Sequence, residues 1–267
     1  MHKLQGQTKV CHTSKGKDSM KNIVCAAVIA VCATFTAHAA DLKTGEAVLD
    51  NYVEATGGAA AYAKMHNWIM KGSMSMPAMG IKGAVTIYAA EPNKLAMSTD
   101  LGGVGKVAEG SDGTHAWTFS AMQGPQIKKG EELADSLREA VFHKDIEWRT
   151  IYSSAELNGV EDVDGKPAYK VILTPKTGKP ETQYYDKASG LMVRHQSVRK
   201  TAFGDIPVDV SVSGYRKECG VTLPHSSVES VAGQKIELQI DSVECNASLP
   251  ADAFQPPAEV KALINKQ

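Results

Sequence analysis

Asn67-Trp68-Ile69-Met70-Lys71-Gly72-Ser73-Met74-Ser75-Met76-Pro77-Ala78-Met79 is the stretch that decides the fold. Written as a strand, it points alternate residues to opposite faces. Trp68, Met70, Gly72, Met74 and Met76 share one face, and Ile69, Lys71, Ser73 and Ser75 share the other. The first face is wide, soft and apolar. Methionine is flexible and polarizable, and it suits surfaces that accept varied shapes. Two readings fit this face: packed core with Met as filler, or the lining of an adaptable pocket.

The period of two continues beyond it. Ile81, Gly83, Val85, Ile87 and Ala89 alternate with Lys82, Ala84, Thr86 and Tyr88, and Glu91-Pro92-Asn93 makes a turn. Leu95 and Met97 share a face, Gly102-Gly103 and Asp112-Gly113 punctuate, and His115, Trp117 and Phe119 alternate again. Residues 122–129 read as a break and 131–142 as a helix, with Leu133, Leu137, Ala140 and Val141 on one face. Strands resume near Ala155 and follow at 169–173, 182–186, 191–198, 206–215, 221–231 and 235–245. On the other side, Thr44 caps a helix that runs through about Thr56 and ends at Gly57-Gly58, and 59–65 form a second helical piece. The fold class is therefore mainly β with helices (α+β), with about ten strands in antiparallel order, since the connections are short. A sheet of that size curls, and the helices bury their stripes against its inner face.

The chain has 267 residues. Lys15, Lys17 and Lys21 precede an apolar run over 23–35, and Ala37-His38-Ala39 follows it, the plan of a cleaved export signal. Whether Met1 or Met20 starts this leader stays open. Three parts result: a signal peptide (1–39), one domain (40–258) and a C-terminal tail with a short charged helix (259–267). The leader carries five lysines and one aspartate; without it, 24 basic residues face 29 acidic ones, a net charge of −5. With no basic patch, nucleic acid is excluded as a partner.

No motif for a metal, a phosphate loop or a nucleophile elbow is present, so neither a cofactor nor catalysis is expected. Ser197-Val198-Arg199-Lys200 matches Ser-x-x-Lys, but it closes a strand where it would need to open a helix. His115, His143 and His195 sit in different elements, and Asp112, Glu161, Asp162 and Asp164 read as solvated turn acids. An unrecognised hydrolase using Ser197 or His195 is the weakest alternative.

Cys219 and Cys245 remain after the leader is removed, an even count in an oxidising compartment. If 221–231 and 235–245 pair about Ala232-Gly233, Cys245 faces position 220, one residue from Cys219. A disulfide is expected there, the alternative being two buried thiols.

The order of motifs resembles the periplasmic lipoprotein-carrier superfamily, the outer-membrane lipoprotein-sorting proteins and their lipid-binding relatives. The residues that carry the likeness are Pro92-Asn93-Lys94, Asp112-Gly113 with Ala116-Trp117, Gly165-Lys166-Pro167-Ala168-Tyr169, Tyr184-Tyr185-Asp186 with Ser189-Gly190-Leu191, and Val221-Thr222-Leu223-Pro224. They span about 42–256. The resemblance implies an unclosed antiparallel β-barrel with a helical lid over an apolar cavity. It implies a soluble periplasmic monomer that carries lipid or acylated lipoprotein between membrane-bound donor and acceptor proteins. Trp68, Met70, Met74, Met76, Met97, Trp117 and Phe119, with Leu133 and Leu137 of the helix, are the expected lining. The alternative is a periplasmic sensor or assembly partner on the same scaffold, binding a protein through an edge strand or the lid.

Overall fold

The computed structural model describes residues 41–201 and 204–265; the expected leader lies outside them. Thr44 caps helix α1 (Gly45–Ala55), accepting a 3.1 Å hydrogen bond from the Ala47 amide. Val48, Leu49, Tyr52 and Val53 recur at helical spacing and are buried. Gly57 and Gly58 then turn the chain at φ +128° and +81° into the short α2 (Ala59–Tyr62). A Cβ at Gly57 would lie 2.8 Å from the Gly220 carbonyl oxygen, so the turn admits only glycine.

A first meander follows: β1 (Asn67–Met76), β2 (Ile81–Ala90), β3 (Lys94–Asp100), β4 (Lys106–Ser111), β5 (Ala116–Ser120) and β6 (Gly124–Ile127). Helices α3 (Gly130–Glu139) and α4 (Trp148–Ile151) interrupt the strands. The chain then runs through β7 (Tyr152–Val163), β8 (Lys166–Pro175), β9 (Glu181–Asp186), β10 (Met192–Thr201) and β11 (Gly204–Ser213). A separate hairpin of β12 (Arg216–Glu218) and β13 (Val221–Leu223) precedes β14 (Ser226–Val231) and β15 (Gln234–Cys245), and α5 (Ala258–Ile264) follows.

The thirteen strands of the main sheet lie in the order β6-β5-β4-β3-β2-β1-β15-β14-β11-β10-β9-β8-β7, with antiparallel ladders. β1 and β15 zip the two halves together at the centre. β6 and β7 are the edges, so residues 128–151 cross from one edge to the other. On the way, α3 touches β4 and β5 on one side and β10 on the other. Seven strand spacings separate β4 from β10. Laid flat they would span about 34 Å, whereas a ten-residue helix is about 15 Å long. The sheet is therefore curled around the crossover and left open at its edges. Gly72 contributes to the bend: a Cβ there would lie 1.9 Å from the Gln239 carbonyl oxygen, and the β1–β15 register shifts between Lys71 and Gly72.

The expected strand count of about ten was low. β4 lies between Gly102-Gly103 and Asp112-Gly113, and its residues lay in no expected strand. β6 contains Gly124-Pro125 and had read as a break; at the sheet edge, proline's missing N–H costs no ladder bond. The strand expected at 221–231 is two, parted at Pro224-His225. The helix expected at 131–142 ends at Glu139, and Phe142 turns inward to stack on Trp68 with ring centroids 4.7 Å apart.

Two apolar clusters form on the inner face. In one, Val48, Leu49 and Tyr52 of α1 and Trp148 of α4 pack on Tyr169, Val171, Leu173 and Tyr185. In the other, Tyr62, Met65, Phe142, Val221 and Leu223 roof Ala89, with Trp68, Met70 and Val243 packed against them. On the outer face, α5 packs on β5 and β6 with Val260 fully buried, so residues expected in a tail are part of the packing.

Candidate functional site

Residues directly opposite in an antiparallel ladder share a face. Met70 faces Ile87 and Val243, Met74 faces Gly83 and Leu238, Met76 faces Ile81, and Met97 faces Ile87. These side chains and Trp68 therefore lie on the inner face. Along β1 their surroundings change. Trp68 and Met70 join the roofed cluster. Met74, Met76, Ile81, Met97 and Leu238 belong to no cluster and are half-buried. They form an apolar trough that the roof of α2 and the β12–β13 hairpin does not close.

Helix α3 crosses the inner side of the curled sheet from β4 and β5 to β10. Glu131 and Glu132 stand in its first turn, where the helix dipole favours acids, and Arg138 in its last. An amphipathic helix normally buries its stripe, yet no residue of α3 is buried, and Leu133 and Leu137 are only half-covered. Two ion pairs hold its N-terminal end across the sheet. Glu131 meets Lys200 of β10 at 2.8 Å, and Lys128, just before the helix, meets Glu109 of β4 at 3.8 Å. Glu109 faces Met97, which places the helix over the inner side. At the other end Arg138 donates to Asp135 at 2.8 Å and to the Thr177 carbonyl at 3.1 Å. Gly124 and Gly130 hold φ of +75° and +55° on the approach, positions where glycine turns without strain.

Trp117 and Phe119 are not part of this trough. Trp117 faces Gly110, which faces Ala96, which faces Tyr88, which faces Ile69, the opposite face of β1. Phe119, two residues on, shares that outer face. Trp117 is 2% exposed, and a cavity of about 380 Å³ lies between it, Tyr88 and Ala96 and the segment Pro256-Pro257-Ala258. Strand parity restarts after every turn, so alternation within β5 could not say which face its aromatics take.

A second, polar cavity of about 80 Å³ lies where the crossover meets β8, β9 and β10. Glu139, Lys144, Asp145, Glu181, His195, Tyr52, Tyr152, Tyr185 and Trp148 are among its walls. Glu139 and Lys144 pair at 2.8 Å at the mouth of the cavity, each with 46% of its side-chain surface exposed. The Lys144 charge holds the Glu139 carboxyl down to about 2. Glu181 is 4% exposed and accepts from Tyr152 at 2.5 Å and Gln183 at 2.9 Å, with His195 at 3.4 Å. Burial pushes its carboxyl up, but the contacts with His195 and Tyr152 outweigh that and hold it below its usual range. Burial pushes the Asp145 carboxyl up, and the Lys144 charge only partly opposes it. Of these groups the sequence singled out His195 alone. The missed signal is an acid at an inward position of a strand, Glu181, in step with Gln183 and Tyr185.

Cys219 and Cys245 are bridged, with Cα atoms 6.3 Å apart. The route differs from the expected hairpin. The β14–β15 ladder ends at Ser226 opposite Gln239, and Cys219 arrives from the turn between β12 and β13. Lys200 pairs with Glu131, and Ser197 lies inside β10, so the Ser-x-x-Lys residues are not assembled. His115, His143 and His195 each meet a separate acid: Asp112, Glu91 and Glu181. Among the described residues no group of three His, Cys, Asp or Glu is arranged to hold a metal, and no helix is long and apolar enough to cross a membrane.

No protein-family model matches the chain, nor does any curated protein. Solved structures do. A DUF1329 family protein from Desulfovibrio piger aligns over 82% of this chain and 100% of its own at 17% identity, with a TM-score of 0.56. A putative outer membrane lipoprotein-sorting protein domain from Vibrio parahaemolyticus covers 79% of this chain and 97% of its own at 13% identity and 0.53. A LolA superfamily protein from Nitrosomonas europaea covers 80% and 99% at 12% identity and 0.53. Identities this low speak to the fold. The open, curled antiparallel sheet with a helical crossover over its inner face is the LolA-like fold, the architecture that the order of sequence motifs had implied.

Proposed function

We propose that the protein is a periplasmic carrier that shelters an acyl chain of a lipid or acylated lipoprotein in the trough beneath α3. One observation carries the reading: Met74, Met76, Met97 and Leu238 stay half-buried on the inner face, and the helix that crosses that side of the sheet buries none of its own side chains. An apolar slot left under an amphipathic helix is a place for an apolar guest. Each CH₂ taken from water contributes about 0.8 kcal/mol, so about fifteen of them gather roughly 12 kcal/mol, which covers the ~8 kcal/mol of micromolar binding and an association cost of ~4 kcal/mol. The latches of α3 are exposed ion pairs, which are weak, so the lid opens at small cost.

Export, a donor and an acceptor belong to the same proposal. An edge-strand docking reading finds less support. β7 has register shifts at Tyr152/Ser154 and Leu157/Val160 and carries Glu156, Glu161 and Asp162, features that blunt an edge. The test is titration of delipidated protein with a fluorescent fatty acid and its displacement by lipid. Saturable binding at one site per chain is expected. No binding by a folded, lipid-free chain overturns the proposal.

A further inference from the structure

Asp145 stands in the polar cavity with neither a hydrogen bond nor an ion pair among the described residues, unlike the other two carboxylates there. Glu139 has Lys144, and Glu181 has Tyr152, Gln183 and His195. Burial raises the hydroxyl pKa values of Tyr52, Tyr62, Tyr185 and Tyr215, and the Asp145 charge adds a smaller push in the same direction to each. His195 Nε2 is directed to Glu181, 3.4 Å away, and is not available to Asp145. Lys144 pairs with Glu139, His195 with Glu181, and the nearby Arg138 guanidinium with Asp135, so Asp145 alone among these acids has no cation of its own; aromatic rings form much of the remaining wall.

We propose that this cavity is a binding site for an organic ammonium group, paired to Asp145 and enclosed by the rings of Tyr52, Tyr152, Tyr185 and Trp148. An unpartnered carboxylate in an enclosed site is costly until a cation joins it. Aromatic faces attract the same charge. The cavity has room for a few waters, which an ammonium-ethyl group would displace. Burial raises the Asp145 carboxyl pKa in the empty protein, and a bound ammonium would lower it.

The cavity includes Glu139, the last residue of α3. A guest lying under the lid therefore brings its polar end here, and the proposal in this form rests on the carrier reading: the cavity selects an aminophospholipid head group. A free amine offers the same chemistry.

Delipidated protein is titrated with short-chain phosphatidylethanolamine, with phosphatidylglycerol of the same chain length, and with ethanolamine alone. The parent chain is compared with Asp145→Asn, whose folding is checked by its melting curve. The expected result is a preference for phosphatidylethanolamine of about tenfold in the parent, lost in Asp145→Asn with phosphatidylglycerol binding unchanged. Equal binding of both lipids, with no ethanolamine binding that depends on Asp145, overturns the cavity proposal and leaves the carrier reading intact. Asp145-dependent binding of ethanolamine without either lipid supports the cavity as a free-amine site and overturns the carrier reading. No binding of any of the three overturns both.

Discussion

Lys200 of β10 lies 2.8 Å from Glu131 in the first turn of α3, so one ion pair ties the C-terminal half of the sheet to the helix that crosses from its other half. Both side chains are about half exposed, 49% and 52%. Such a pair is worth about 0–1 kcal/mol, the scale suited to a latch. Lys200→Ala is expected to leave the melting temperature nearly unchanged and to speed both amide exchange in α3 and escape of a bound apolar probe several-fold. Raising the salt concentration on the parent should act in the same direction. Unchanged exchange in α3 would remove the latch.

The two ends of β1 should respond differently to substitution. Trp68 is partly buried and packs on Phe142 against a roofed cluster, so Trp68→Ala should cost about 2–3 kcal/mol by chemical denaturation. Met74 is half-buried in the trough, so Met74→Asp should cost about 1 kcal/mol while reducing affinity for an apolar probe at least tenfold. A Met74→Asp chain that cannot fold would show that this part of the strand is core.

Asp145 predicts a pH signature. Burial raises its carboxyl pKa in the folded chain, so the folded state holds the proton more tightly than the unfolded one. The ionised side chain therefore costs stability at neutral pH, fully so above the raised pKa. The cost fades as pH falls through that value and is gone below about 3.9, the unfolded pKa. Asp145→Asn is expected to be more stable than the parent at pH 7, with the gap closing toward pH 4. Denaturation midpoints of both chains across that range check it; a destabilised Asn variant at pH 7 contradicts it.

The Cys219–Cys245 bridge closes a loop of 26 residues and fastens the β12–β13 turn to the end of β15. Restricting the unfolded chain in this way contributes about 3 kcal/mol. Reduction, or Cys219→Ser with Cys245→Ser, should lower the unfolding free energy by that amount and loosen the roof formed by Val221 and Leu223. Equal stability with and without reductant would show that the bridge constrains little.

Local chemistry made much of the fold legible. Thr44 and Gly57-Gly58 bound α1, and Asp112-Gly113, Asp164-Gly165 and Ala232-Gly233 sit in turns between strands. The face shared by Trp68, Met70, Met74 and Met76 follows from the two-residue period alone. What could not be read is what long-range packing decides. Trp117 went to the outer face because parity is lost across turns, and Val221 left its expected ladder because Pro224 cannot donate to it. The polar cavity draws on α1, the crossover, β9 and β10, which no local pattern places side by side.

The claim on which everything else turns is that an acyl chain occupies the trough under α3. Native mass spectrometry of the protein isolated from the exported fraction of cells that make it measures this directly. The account predicts one lipid-mass adduct per chain, identified after extraction and largely absent from the Met74→Asp variant purified alongside. A parent chain that carries no such adduct, or one retained equally by Met74→Asp, would contradict it.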